Sequence, residues 1–170
     1  MIVVVSDTSP LNYLILCEVV EILPKLYERV VIPQAVYAEL ASPDAPPVVQ
    51  EWVRQLPPWL TVLNASHLDT SLHLDPGECE AICLAQEIHA DGLIVDEAEA
   101  RQIARARGLL VTGTIGVLEL AAAKDLLCLP EVLEKIRRTN FHVHEALLRA
   151  ALARDKDRRL QRPRDSANPE

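Results

Sequence analysis

The sequence predicts an α/β domain organised on a mainly parallel sheet. Short β-branched runs recur between stretches with helical spacing, the pattern of strand–helix alternation. The runs are continuously apolar instead of alternating, as befits strands covered on both faces by crossover helices. Two of them, "IVVVS" and "GLIV", lead directly into an acid, Asp7 and Asp96. Ligands of such sheets bind outside the carboxyl ends of the strands, so both acids stand where chemistry is expected. The chain has 170 residues, enough for one substantial core, and its 49% hydrophobic content with few aromatics makes that core Val, Ile, Leu and Ala.

Taken in order, Ile2 to Val5 reads as the first strand, Leu11 to Leu16 as a helix and Val19 to Tyr27 as a second helix. Val30 to Ile32 is a β-branched strand stopped by Pro33, which suits a first helical turn, and "QAVYAELA" follows with Val36 and Leu40 four apart. The proline-rich "SPDAPPVV" is a turn, Val48 to Leu56 an amphipathic helix and Leu60 to Leu63 a strand. Asn64 to Asp75 is polar and loop-like. Asp75 is placed as N-cap of the next helix, with Pro76 as its first residue. "GLIVDE" is a buried strand ending on acid, and "AEARQIARARG" a helix with Gly108 past its end. "LLVTGT" and "IGVLELAAAKDLL" form the next strand–helix pair. Pro130 opens "EVLEKIRR", and "HEALLRAALARDKDRR" is a final amphipathic helix. One domain over residues 1–155 and a basic, frayed tail over 156–170 are expected.

The formal charge of −8 constrains the partners. Proteins that hold nucleic acid by general attraction are usually basic, so a bound polyanion requires a local cationic patch or a metal. Cys79 and Cys83 lie four apart, but Cys17 and Cys128 form no second close pair to complete a zinc site. Buried, reduced thiols are the plainer reading, and they suit a cytoplasmic protein. His142 and His144, as alternate residues, do not share a helix face. No apolar run reaches the ~18 residues of a membrane span, and no basic signal-peptide start precedes Ile2.

Glu39, after the second strand, and Glu78, in the first turn of the helix begun at Pro76, can join Asp7 and Asp96 in one cluster. Each has a plain structural alternative. Asp7 with Thr8, and Asp96, can be helix caps. Glu78 suits a helix N-terminus whatever its role, and Glu39 can be a solvated helix residue. Together they point to one hard divalent cation, because converging carboxylates repel, and Mg²⁺ accepts carboxylate and water oxygens. Such an ion also lets an acidic pocket accept an anionic backbone. Arg101 and Arg105 share a helix face that can meet a phosphate near Asp96, or Arg101 can pair with Glu97. The basic C-terminal stretch can steer RNA, bind an acidic partner or simply solubilise the chain.

"SDTSPLNYL", "VVIPQAVYAEL", "DPGECEAICLA", "LIVDEAEAR" and "GLLVTGTIGVLELA", in that order over about residues 1–150, resemble the PIN-domain superfamily. The likeness is to its prokaryotic PIN-like subfamily, related to the toxin ribonucleases of toxin–antitoxin modules. The resemblance implies a three-layer α/β/α Rossmann-like sandwich and a Mg²⁺- or Mn²⁺-dependent site cutting single-stranded RNA. By motif, its four catalytic acids fall on Asp7, Glu39, Glu78 and Asp96, with Glu97 an alternative to Asp96. Asp7, Glu78 and Asp96 are the implied metal ligands, and Glu39 a further ligand or base. Thr8 or Ser9 supports the first acid. Thr112 and Thr114 fall near the site, and Arg101 stands where the usual threonine-containing loop is replaced. The third acid is Glu where related toxins carry Asp. An antitoxin and a homodimer are the implied protein partners, and the apolar "IGVLELAAAKDLL" suits either a dimer surface or core.

Three rival readings belong to other classes. A catalytically inert PIN-like module, acting through a protein partner, is the main alternative. A receiver domain would want adjacent acids after the first strand and a lysine after the last, where this chain has Ser6-Asp7-Thr8 and Thr112-Gly113-Thr114. Nucleotide binding at a glycine-rich loop fails, since the five glycines form neither G-x-G-x-x-G nor a P-loop.

Overall fold

The computed structural model describes residues 2–161. Its strands are β1 (Val3–Ser6), β2 (Arg29–Pro33), β3 (Leu60–Leu63), β4 (Gly92–Ile94) and β5 (Val111–Thr112). They pair in the order β3-β2-β1-β4-β5, and every pairing is parallel. The helices are α1 (Thr8–Leu16), α2 (Leu23–Leu26), α3 (Gln34–Leu40), α4 (Pro47–Arg54), α5 (Pro76–Glu87), α6 (Ala98–Ala106), α7 (Thr114–Ala123), α8 (Leu129–Arg137) and α9 (Glu145–Gln161).

Alternate strand residues face opposite sides of the sheet, and this divides the core in two. Val4, Val30, Ile32 and Ile94 pack with Leu11 and Leu14 of α1, Val117 and Leu118 of α7 and Leu133 of α8. Val5, Val31, Leu93 and Val95 pack on the other side with Ile82 and Leu84 of α5 and Ala100 and Ala104 of α6. Both sheet faces are therefore buried, which is why the strands read as unbroken apolar runs. This is the expected three-layer α/β/α arrangement.

The strand order reverses between β1 and β4. The chain moves outward from β1 to β2 and β3, then crosses back through α5 to β4 on the other side of β1. Ser6 is in register with Ile94, and the Asp7 N–H donates to the Ile94 carbonyl at 2.9 Å. The crevice at such a switch point is where doubly wound sheets bind ligands, and it is where Asp7 and Asp96 emerge.

Several local expectations are met. Residues 64–75 contain no helix or strand, and Asp75 and Pro76 open α5. Gly108 follows α6 with φ +81, and its N–H and that of Leu109 bond the Arg105 and Ala104 carbonyls, the paired bonds of a Schellman motif. Others are corrected. Val19 to Tyr27 is not one helix: a 3-10 turn, Val20–Ile22, precedes the four-residue α2, with Pro24 in its first turn. Pro33 closes β2 at the N-cap position of α3 instead of entering the helix.

The helix α9 continues past residue 155 to Gln161. Asp155 is buried there, paired with Arg158 and, at 3.0 Å, with Arg159. Residues 156–161 of the expected tail are thus helical, and residues 162–170 lie outside the described residues. Arg137 pairs with Glu134 and Glu145, and Arg154 with Glu119. Much of the basic C-terminal stretch is thus matched by acids of the same molecule. The cysteines are free, with Cys17 and Cys83 buried. No described helix is long and apolar enough to cross a membrane.

Candidate functional site

Asp7 occupies the N-cap position of α1 but makes no capping hydrogen bond with its side chain. The residue is 6% exposed. Burial pushes its carboxyl from 3.8 to about 7; the Thr8 backbone N–H opposes the rise, while the charges of Glu78, Glu39 and Asp96 add to it. Capping does not explain this acid.

The next two residues of α1 brace the neighbouring carboxylates. The Thr8 hydroxyl donates to Glu39 Oε2 at 2.5 Å, and the Ser9 hydroxyl donates to Asp96 Oδ2 at 2.8 Å. Consecutive helical side chains diverge by about 100°, so one turn of helix reaches α3 on one side and the β4–α6 connection on the other. Glu39 itself is exposed, held at the mouth of the site by that contact.

Asp96 does not cap the helix that follows it; Glu97 holds that position. Its Oδ1 accepts the Thr114 backbone N–H at 2.7 Å and its Oδ2 the Thr114 hydroxyl at 2.6 Å. The N-cap of α7 is Gly113, which has no side-chain acceptor, and Asp96 supplies one from another element. Gly113 also permits the approach, because a Cβ there would lie 2.9 Å from Asp96 Oδ1.

Glu78 is buried in the first turn of α5, where it accepts the Asp75 N–H at 3.4 Å. Burial raises its carboxyl above the ordinary range; the Asp75 N–H opposes this, and the charges of Asp75, Glu97 and Glu39 support it. Gly77 keeps the site open: a Cβ would stand 3.3 Å from Asp7 Oδ1 and 3.4 Å from Glu39 Oε2.

Asp7, Glu39, Glu78 and Asp96 line one cavity of about 790 Å³, with Thr8, Ser9, Glu97, Arg101 and Thr112 also on its walls. Thr114 is fully buried behind Asp96. Arg101 does not join Glu97 among the ion pairs of the described residues. Its Nε is buried without a hydrogen-bond partner, whereas Arg105 is exposed and does not line the cavity. The two arginines expected on one face thus have different surroundings.

The donors are all oxygen, the set that suits Mg²⁺ or Mn²⁺. Among the described residues, no three His, Cys, Asp or Glu side chains are grouped to hold one ion. Asp96 and Glu78 are already engaged by Thr114, Ser9 and Asp75. A site of this kind fits an ion held by one or two carboxylates with water and substrate oxygens completing its sphere, the usual habit of Mg²⁺.

Sequence reasoning missed part of the cavity lining. Tyr13, Phe141, His142, Val143, His144 and Leu147 belong to it. They come from α1, the α8–α9 connection and the first turn of α9, and only the helical spacing of Tyr13 from Ser9 hinted at it. Glu80 was also missed. Buried at 8% exposure, it accepts the Ala35 N–H at 2.9 Å and the Ala65 N–H at 3.2 Å. It gives the N-terminus of α3 the acceptor that Pro33 lacks, a structural duty outside the cluster.

A search of the curated proteins finds no match to the chain. The PIN-domain family (DUF3368) matches residues 3–157, nearly the whole described structure. Its members are generally nucleases that act on nucleic acids and typically use divalent metals. With a switch-point cavity lined by acids from four segments and a match of that extent, the chain belongs to the PIN-domain family.

Proposed function

We propose that this protein is a metal-dependent endoribonuclease that hydrolyses phosphodiester bonds of single-stranded RNA. One observation carries the reading: Asp7 is buried, uncapped and surrounded by Glu39, Glu78 and Asp96. Burying a carboxyl among carboxylates is costly, and the arrangement becomes favourable once a cation shares the cavity. Asp7, with Asp96 or Glu78, would hold Mg²⁺ or Mn²⁺. When bound, the ion supplies an acidified water and offsets charge on the phosphoryl oxygens.

The remaining duties fall to the chain. Thr114 and Ser9 fix both oxygens of Asp96, so its carboxylate is oriented before substrate arrives. Thr8 holds Glu39 at the cavity mouth, where it can accept a proton from the attacking water. Arg101, on the cavity wall, would provide a cationic contact for a non-bridging phosphate oxygen through its guanidinium. Thr112 offers a hydroxyl on the same wall. The family resemblance extends the proposal to a toxin restrained by an antitoxin.

An inert PIN-like module is supported by the lack of a preformed three-ligand group among the described residues. Calorimetric titration with Mn²⁺, beside cleavage of single-stranded RNA by wild type and Asp7→Asn, separates the two. The nuclease reading expects Mn²⁺ binding and cleavage, both lost in Asp7→Asn. Equal cleavage by both proteins, or neither binding nor cleavage, overturns it.

A further inference from the structure

The cavity is lined by more than carboxylates: Tyr13, Phe141, Val143 and Leu147 give it an aromatic and apolar part. At about 790 Å³ it falls in the range of small-ligand pockets and exceeds what an ion and its waters fill. Tyr13 lies four residues after Ser9 on α1, hence on the same helix face and about 6 Å along the axis from the residue that holds Asp96.

The aromatic part is built and held. The Tyr13 and Phe141 rings meet at a centroid distance of 4.5 Å and a tilt of 57°. The Tyr13 hydroxyl donates to Asn140 Oδ1 at 3.0 Å, fixing the ring and the connection that carries Phe141. Both rings are only partly buried, and Leu147 beside them is 53% exposed. The rings therefore keep surface toward the cavity, and their order is already present before a ligand arrives.

The charge balance gives this part of the cavity a purpose. A chain of net charge −8 cannot hold RNA by general attraction, and Arg137, Arg154, Arg158 and Arg159 are engaged in ion pairs. Contacts that ignore charge can add affinity that general attraction does not supply, and a nucleobase stacked on an aromatic face contributes about 1–3 kcal/mol. Bases in a duplex are already stacked, so such a face selects unpaired nucleotides.

Resting on the nuclease reading above, we infer that Tyr13 and Phe141 form a nucleobase-stacking wall, holding one unpaired base beside the phosphate at the carboxylates. The wall would set both the preference for single strands and the position of the cut.

The test uses the full chain carrying Glu39→Gln, which removes the proposed proton acceptor and keeps the proposed metal ligands, with Mg²⁺ present. Single-stranded RNA oligonucleotides carry one abasic site, or one fluorescent 2-aminopurine, moved through each position. One position should lose about 5- to 100-fold in affinity when abasic and show quenched fluorescence when 2-aminopurine. Adding Phe141→Leu, which keeps apolar packing but removes the ring, should abolish both effects at that position. The abasic series on the Phe141-containing protein does not depend on how the second variant folds. No position-dependent loss, an equal loss with Phe141→Leu, or no RNA binding overturns the stacking wall. Failure of the nuclease reading shows separately, as absent wild-type cleavage, while the base-stacking signal is read without hydrolysis.

Discussion

Thr114 holds both oxygens of Asp96, one through its backbone N–H at 2.7 Å and the other through its hydroxyl at 2.6 Å. The start of α7 and the end of β4 are thereby joined at the carboxylate itself. Thr114→Val removes the hydroxyl but keeps the shape. A lost hydrogen bond to a charged, partly buried group costs about 1.5–3 kcal/mol, so the denaturant midpoint should fall, and RNA cleavage should drop further than stability. Thr114→Ser should recover both. Cleavage unchanged in Thr114→Val would show that Asp96 needs no such support.

Gly113→Ala places a Cβ 2.9 Å from Asp96 Oδ1. Something must shift, and Asp96 is held on three sides. The expected result is a loss of at least tenfold in cleavage with a melting temperature lowered by only a few degrees, since the strain falls on one side chain. Comparing RNA cleavage with thermal unfolding tests this, and proportionate losses in both would place the damage in folding instead.

The Asp7 carboxyl, raised to about 7 by burial, gives the metal-free protein a pH-dependent weakness. Between its unfolded value near 3.8 and its folded value near 7, the folded state binds more protons than the unfolded one. Stability therefore falls as pH rises through that window and stays low above it. At about 1.4 kcal/mol per pKa unit, the loss is on the order of 4 kcal/mol. Asp7→Asn should flatten the profile and exceed wild type in stability at pH 8 without metal. Saturating Mn²⁺, favouring the charged carboxylate, should restore wild type. Urea titrations across pH with and without chelator test this; parallel profiles for the two proteins would count against it.

Glu80 separates structure from chemistry. Its carboxylate serves Ala35 and Ala65 backbone N–H groups and does not line the cavity. Glu80→Ala leaves two donors without their acceptor and should destabilise by about 2–4 kcal/mol. Below the melting transition, the remaining folded protein should bind Mn²⁺ as wild type does. A selective loss of Mn²⁺ binding would move Glu80 into the site.

Asp155 tests the end of α9. Asp155→Asn weakens its pairs with Arg158 and Arg159, and amide exchange over residues 156–161 should speed up while the sheet core is unchanged. Unaltered exchange there would mean that α9 persists without the buried acid.

The alternation of apolar runs and helical spacing determined the parallel sheet, because a strand buried on both faces needs unbroken hydrophobicity and leaves that mark in the chain. It also placed Asp7 and Asp96 at strand ends, since a strand's last apolar residue can be read directly. Tertiary structure decided the rest. Whether Asp7 caps a helix, whether Asp96 serves its own helix or Thr114, and why Glu80 differs from Glu78 two residues earlier all depend on partners distant in sequence. The same holds for Tyr13 and Phe141, brought together from opposite ends of the chain. Local pattern records which face of an element is buried; it does not record which element arrives to bury it.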